Sequence, residues 1–484
     1  MNRRKFLKTS GIAATTLMMP RLECAAGGDG QVRPNILFLF SDQQRHDTIE
    51  CYGQPIFPGL TPNLDRMAAD GVRFQHSFTC QPVCGPARAA LQTGKYATQT
   101  TCFSNNISLP RRERTMANYL SAAGYDVGYI GKWHLASDGT TYPGVEPFDC
   151  TTAPVPPDRR GGYKDFWLAS DVLEFTSHGY DGHMFDGEGK RRDFPEGRYR
   201  VDAQTDWVIE FLRTRGATGT TRPFFLFVSY IEPHHQNDHE HFEGPRGSKE
   251  KYRDYRLPGD LEGTLGDWKA EMPDYLGCCA SFDANVGRIR AELAKLGLAG
   301  NTLVLYTADH ACHFKTRNGE YKRSCHDDSI RTPLIACGPG FTGGKVVEQI
   351  VSLMDLTPTV LAAAGIDSPE GFAGRPLQGL IDGSAKDWPQ DVFVQISESS
   401  CGRAVRTGRW TYCVEAPKGK ARFRTCDSEV YEEAYLYDLQ ADPHQRKNLA
   451  SDPGLGATRD ELRGILLRYM ARAGEMPPQI LPKA

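Results

Sequence analysis

The stretch CQPVCGPARAALQTGKY, Cys80 to Tyr96, places a thiol at Cys84, a proline at 86 and an arginine at 88, just ahead of a helical pattern. Pro86 suits the first turn of a helix, where the N–H it lacks has no partner in any case. The run Ala87 to Gln92 reads as helix, and Gly94 stops it. Cys84 is therefore expected at a helix N-terminus, where unpaired backbone N–H groups and the helix dipole favour an anion. Arg88 lies one turn inward and can fold back toward the same point. On these residues alone two readings stand: a reactive group held at an anion site, or a buried cysteine at the start of a capped helix.

The elements that would position such a group are legible as apolar runs. PNILFLFSD (34–42), DVGYIGKWH (126–134), FFLFVSYIEPHH (224–235) and TLVLYTADH (302–310) are each continuous and each end in Asp or His. Continuous rather than alternating hydrophobicity marks strands buried on both faces. Helical patterns lie between them, at Asn63 to Ala69, Thr115 to Ala123, Asp202 to Arg213 and Tyr275 to Leu296. This alternation predicts an α/β fold with a large, mostly parallel sheet flanked by helices. Ligands in such sheets bind beyond the carboxyl ends of the strands, where these polar residues gather. After about residue 375 the pattern changes. DVFVQISE and RAVRTGRWTYCV read as antiparallel strands, and Asp460 to Ala473 as a helix. The expected organisation is a catalytic α/β domain over 27–375 and a small α+β subdomain over 376–484, docked because no linker-like tract separates them.

Residues 1–26 read differently. Arg3-Arg4 and Phe6-Leu7-Lys8 precede a short apolar run, Gly11 to Met19, and small residues at Ala25-Ala26. This predicts a twin-arginine export signal and a periplasmic or extracellular destination. The run is shorter than the ~20 residues that span a bilayer, and no other segment is a membrane-span candidate. Lys plus Arg number 57 and Asp plus Glu 60, a net charge of −3, which argues against nucleic acid as a partner. Fourteen cysteines are many for an exported chain, but no CxxC pair suggests structural zinc, and spacing alone assigns no disulfide.

CGPARAALQTGKY resembles the signature of the type I sulfatases of the alkaline phosphatase superfamily, in which the cysteine is oxidised to formylglycine. The resemblance continues in PNILFLFSDQQ, GKWHL, YIEPHHQ, YTADH, NGEYKRSCHDDSIRTPLIACGPG and LYDLQADPHQRKNLA, over roughly residues 33 to 450. It implies that Asp42, Gln43, Asp309 and His310, with residue 84, hold a divalent cation. A mostly oxygen ligand set suits Ca²⁺; Gln43 and His310, where many members carry Asp and Asn, leave Mn²⁺ open.

The same resemblance implies the chemistry. A hydroxyl of the hydrated aldehyde at residue 84 attacks sulfur, Arg88, Lys132 and Lys322 supply positive charge, His234 protonates the leaving alcohol, and His134 takes a proton as sulfate is expelled. It further implies a formylglycine-generating enzyme as a maturation partner and a sulfated saccharide as substrate. His235, His313, Arg317, His326 and Arg403 lie near motif segments and are candidate substrate contacts, as are polar groups of NDHEHFEG (237–244). Two other functions compete with the sulfatase: a phosphonate monoester or phosphodiester hydrolase using the same nucleophile, and a noncatalytic glycan-binding relative in which Cys84 stays a thiol.

Overall fold

The computed structural model describes residues 33–53, 55–139, 146–217, 221–417 and 425–483; the export signal expected over 1–26 lies outside the described residues. The four apolar runs form strands. β1 is Asn35–Ser41, β3 Asp126–Lys132, β7 Phe224–Ser229 and β8 Thr302–Ala308. Every residue of β1, β7 and β8 is buried, which accounts for their lack of polar alternation. Seven further strands join them: β2 (Val72–Phe78), β4 (Phe166–Ser170), β5 (His183–Asp186), β6 (Arg191–Asp193), β9 (Arg331–Thr332), β10 (Leu334–Cys337) and β11 (Lys345–Ser352). The order is β11-β2-β10-β8-β1-β7-β3-β4-β5-β6, with β9 beside β2.

The centre of this sheet, β8-β1-β7-β3-β4, is parallel throughout. Antiparallel strands extend it on both flanks, so the sheet as a whole is mixed. The register sets Ser41 opposite Ala308, Phe40 and Gly131 opposite Ser229, and Lys132 opposite Ser170. Five strand ends thus reach one edge together, and the residues just past them face a common space. All four predicted strands run past their real ends, β1 by one residue and β8 by two. β3 stops at Lys132 because His134 takes a left-handed turn (φ 57°), and β7 stops at Ser229, before Pro233, which offers no N–H to a ladder.

Gly131 marks how tightly β3 meets β7. Its φ is 112°, and a Cβ there would lie 1.9 Å from the carbonyl oxygen of Ser229 and 2.7 Å from Gln204 Nε2. Gly131→Ala is expected to destabilise the protein by at least ~1–3 kcal/mol, the scale of a strained backbone before the clash is added. A thermal melt unchanged from wild type would show that the strands can part here without cost.

On one face of the sheet Phe38, Phe227, Tyr129 and Trp167 stack from strand to strand, with ring centroids 4.7, 5.2 and 5.4 Å apart. The helix Cys84–Thr93 belongs to the same core cluster through Ala87, Ala89, Ala90 and Leu91. Small side chains let it approach the sheet closely, and Arg88 lies 5.1 Å over the ring of Phe40.

The C-terminal sheet comprises β12 (Asp391–Ile396), β13 (Gly402–Thr407), β14 (Trp410–Glu415), β15 (Val430–Asp438) and β16 (Gln479–Leu481), in that order. The first four are antiparallel, and β16 adds parallel to β15. The helix Gly456–Arg472 places Leu462, Leu466 and Met470 in the cluster that also holds Phe393, Val405 and Tyr412. This subdomain also holds the loop before Cys84: Gln395 N–H donates to Cys80 O (2.9 Å), and Gln81 Nε2 donates to Ser397 Oγ (2.8 Å).

Candidate active site

Cys84 is itself the first residue of the helix, with Val83 as cap; Pro86 lies in the first turn and Gly94 closes the helix in the left-handed conformation. The Cys84 side chain is fully buried. Its Sγ lies 2.9 Å from Lys322 Nζ, 3.3 Å from His310 Nε2 and 3.4 Å from Asp42 Oδ1. Burial alone would raise the thiol pKa, but Lys322, Lys132, His310 and a hydrogen bond with His134 outweigh it and hold the group well below the usual thiol range. An inert core cysteine would show the opposite shift, as Cys80 does at about 12.

Asp42 follows β1 and organises the cations. Its Oδ2 accepts from Arg88 Nη2 (3.0 Å) and pairs with Lys132 Nζ (2.9 Å). Burial and Cys84 push its pKa up; Lys132, His234 and Arg88 prevail and keep it below the ordinary carboxylate value. Arg88 also donates to Ser229 Oγ (2.6 Å) and Lys132 O (3.0 Å), which fixes the guanidinium between β7 and β3. Lys132 has a second buried partner, Glu174 Oε2 at 3.1 Å. Both carboxylates keep the buried lysine charged against its desolvation.

Asp42, Cys84, Asp309 and His310 each offer one ligand atom, all within 4.8 Å of one another and all buried. Asp309 is held up at about 7 by burial and by the neighbouring Asp42 carboxylate, against the opposing pull of His310 and Arg88. His310 Nδ1 lies 3.0 Å from Ala311 O; it donates there and leaves Nε2 facing the cluster. Gln43 takes a left-handed φ of 67°, and its backbone N–H donates to Asp309 Oδ1 (3.0 Å). The cluster of two carboxylates, an imidazole and the residue 84 side chain therefore fits a divalent cation.

Lys322 Nζ bridges Cys84 to His234 Nε2, 2.8 Å away. His134 stands in its left-handed turn because Asp171, just past β4, accepts three consecutive backbone N–H groups: Leu135 and Ala136 at 3.0 Å and Ser137 at 2.9 Å. The carbonyl of Asp171 also accepts from His134 N–H (2.7 Å). Asp171→Ala strands three buried donors and should cost roughly 1–3 kcal/mol of stability. It should also lower kcat more than it raises KM, since it moves His134 and touches no substrate. A variant with normal stability and kcat would remove Asp171 from this positioning role.

These residues lie within segments that match known protein families. The profile described as Sulfatase matches residues 34–366, and one described as N-sulphoglucosamine sulphohydrolase, C-terminal, matches 319–472. The chain belongs to the sulfatase family. As a member it is a sulfate ester hydrolase. It is 30% identical to the uncharacterized sulfatase YidJ of Escherichia coli, covering 90% of this chain and 87% of that one. It is 29% identical to an ulvan-active sulfatase of Formosa agariphila, covering 92% and 83%. A solved structure of a protein in complex with its substrate, D-glucosamine-2-N,6-O-disulfate, has the same fold, with a TM-score of 0.71 at 22% identity over 91% of this chain and 98% of that one.

The structure of this sulfatase gathers the candidate catalytic and metal residues at one edge of the sheet, but not all the candidate substrate contacts. Arg403, on β13, is buried and forked onto both carboxylate oxygens of Glu475 (2.8 and 2.9 Å). His326 is spent on Tyr437 OH (3.0 Å) and Ser324 Oγ (3.1 Å). Arg317 pairs with Asp328 and donates to the carbonyls of His444 and Gln445, beside a separate cavity of about 640 Å³ that Arg45 and Asp260 also line. His313 Nε2 lies 3.0 Å from Lys322 O and supports the lysine from behind. Arg403, His326 and Arg317 are structural because their side chains already have protein partners, whereas His313 keeps a buried Nδ1 without one. His235 packs on Tyr321 and Phe242, and its buried Nε2 likewise has no partner. Asp171, Glu174 and Ser229 escaped the sequence reading, Ser229 although it lies within a predicted strand. All described cysteines are free thiols.

Proposed function

We propose that this sulfatase removes sulfate esters from carbohydrates outside the cytoplasm, with residue 84 working as formylglycine beside a divalent cation. The observation that carries the reading is the setting of Cys84 Sγ, within 3.4 Å of Lys322, His310 and Asp42 at a helix N-terminus. A hydrated aldehyde at this position supplies a hydroxyl nucleophile and a second hydroxyl through which sulfate can be released. Asp42, Gln43, Asp309 and His310 would hold the cation, which when bound draws charge from a sulfate oxygen and lowers the pKa of a bound hydroxyl. Ca²⁺ is the first candidate for this oxygen-rich set and Mn²⁺ the second, through His310; metal analysis of the purified protein separates them.

The protein's own groups supply the rest. Arg88, fixed by Asp42 and Ser229, and Lys132, fixed by Asp42 and Glu174, present positive charge that needs no reorganisation when the sulfate arrives. Lys322 and His234 face the leaving-group side as a hydrogen-bonded pair, His134 is placed to take a proton at residue 84, and the unpartnered Nε2 of His235 is available to a substrate hydroxyl. The carbohydrate reading is supported by the N-sulphoglucosamine profile over the C-terminal segment and by the ulvan-active relative. The export reading rests on Arg3-Arg4 and the apolar run after them, and no helix among the described residues is long and apolar enough to cross a membrane. A formylglycine-generating enzyme is then required before folding, because Cys84 is wholly buried afterwards.

A panel of defined sulfated saccharides, run beside an aryl sulfate and an aryl phosphonate, tests this reading. Sulfate release from saccharides is the expected result. Faster turnover of the phosphonate would assign the site to phosphonate monoesters instead. Binding without turnover, with residue 84 still a thiol, would make the protein a glycan-binding relative.

A further inference from the structure

We propose that the loops around 177–181 and 236–243 form a second metal site, for a borderline divalent cation of the zinc class, held by His178, Asp238 and His239. The segment NDHEHFEG contributes most of it, and the site shares no residue with the cluster around Cys84.

One ligand atom from each of His178, Asp238 and His239 lies within 4.8 Å of the other two. His178 Nε2 is 3.1 Å from Asp238 Oδ2, and the His178 and His239 rings stack with centroids 4.2 Å apart. Parallel rings set their lone pairs side by side, so a modest rotation brings both onto one ion. Their side-chain exposures of 31% and 41% leave room for that movement and for entry of the ion.

The second observation is what stands behind each ligand. His178 Nδ1 is held by Asp181 Oδ1 (2.9 Å), His239 Nδ1 by Glu243 Oε1 (2.5 Å), and Asp238 Oδ1 by Gln236 Nε2 (2.7 Å). A carboxylate on the far nitrogen of each histidine fixes the tautomer and makes the near nitrogen a better donor, which is the outer-shell pattern of metal-binding histidines. Two imidazoles and a carboxylate suit zinc, with waters completing the shell, whereas Ca²⁺ prefers six to eight oxygens. Among the described residues the ion-pair partners of Asp181, Asp238 and Glu243 are the histidines alone, so a bound cation relieves three clustered negative charges.

The position bears on the catalytic edge. Gln236, which supports Asp238, also donates to the carbonyl of Glu174 (2.7 Å), and Glu174 pairs with Lys132. Glu243 Oε2 accepts from Gly179 N–H (2.6 Å) and already ties the two loops. Zinc at this point would clamp the segments that carry Glu174 and His234.

The test is calorimetric titration of Zn²⁺ into full-length protein saturated with Ca²⁺. One zinc equivalent is expected, retained in Asp309→Asn and lost in His178→Ala and in Asp238→Asn. Asp181→Asn keeps every ligand and should weaken binding about 10–100-fold, the usual effect of removing an outer-shell carboxylate, which keeps the proposal testable if a ligand variant folds poorly. Wild-type zinc affinity in folded His178→Ala would overturn the proposal, as would a zinc equivalent that disappears in Asp309→Asn. Loss of zinc in His241→Ala with retention in His178→Ala would place the ion among His239, His241 and Glu243 and overturn the ligand set proposed here.

Discussion

Cys84→Ala should abolish turnover, with kcat falling on the order of 10⁴–10⁶-fold, the range seen when an enzyme loses its nucleophile. The loss should be in kcat, because Arg88 and Lys132 keep their buried partners and still bind sulfate. Fold should survive: residue 84 needs no side-chain cap, and Lys322 retains His234 and Gln43 within 3.5 Å. Peptide mass spectrometry of the active wild type should show formylglycine at position 84. Cys84→Ser should be as inactive as Cys84→Ala unless the host also oxidises serine, since a single hydroxyl has no second oxygen through which to expel sulfate. An unmodified thiol in fully active protein would overturn the nucleophile assignment.

Much of this site is legible in the sequence because its residues sit where apolar runs end. A strand buried on both faces has no reason to carry Asp42 or Asp309 at its tip unless the sheet edge uses them, and the same holds for Lys132 and His134. Cys84 is legible for a different reason, the proline and small residues that make its helix. Asp171 and Glu174 are not, because β4 spans five residues and its run FWLAS is too short to stand out as a strand. Arg403 and His326 mislead in the opposite direction. Each is a polar residue near a motif, but Glu475 lies 72 residues from Arg403 and Tyr437 lies 111 from His326, and no local pattern reveals partners at such separations.

His234→Ala should reduce kcat/KM for alkyl sulfates by ~10²–10⁴-fold while costing activated aryl sulfates far less, since a good leaving group needs little protonation. The geometry adds a pH dependence. His234 Nδ1 lies 2.5 Å from His235 O and donates to it, so Nε2 is the nitrogen turned toward Lys322 and the reacting groups. Burial and the Lys322 ammonium, with Lys132 beyond it, lower the pKa of the imidazole; Asp42 and Cys84 oppose them without prevailing. A depressed pKa means that the free enzyme carries the imidazolium only below the ordinary histidine value. kcat/KM for alkyl sulfates should therefore decline as pH rises through that depressed pKa, while aryl sulfates with acidic phenols stay flat over the same interval. His234→Ala should remove this limb from the alkyl profile and leave the aryl profile unchanged. Equal losses on both substrate classes, or an alkyl profile that keeps this high-pH decline in the variant, would move the donated proton to Lys322, whose ammonium already reaches both His234 and residue 84.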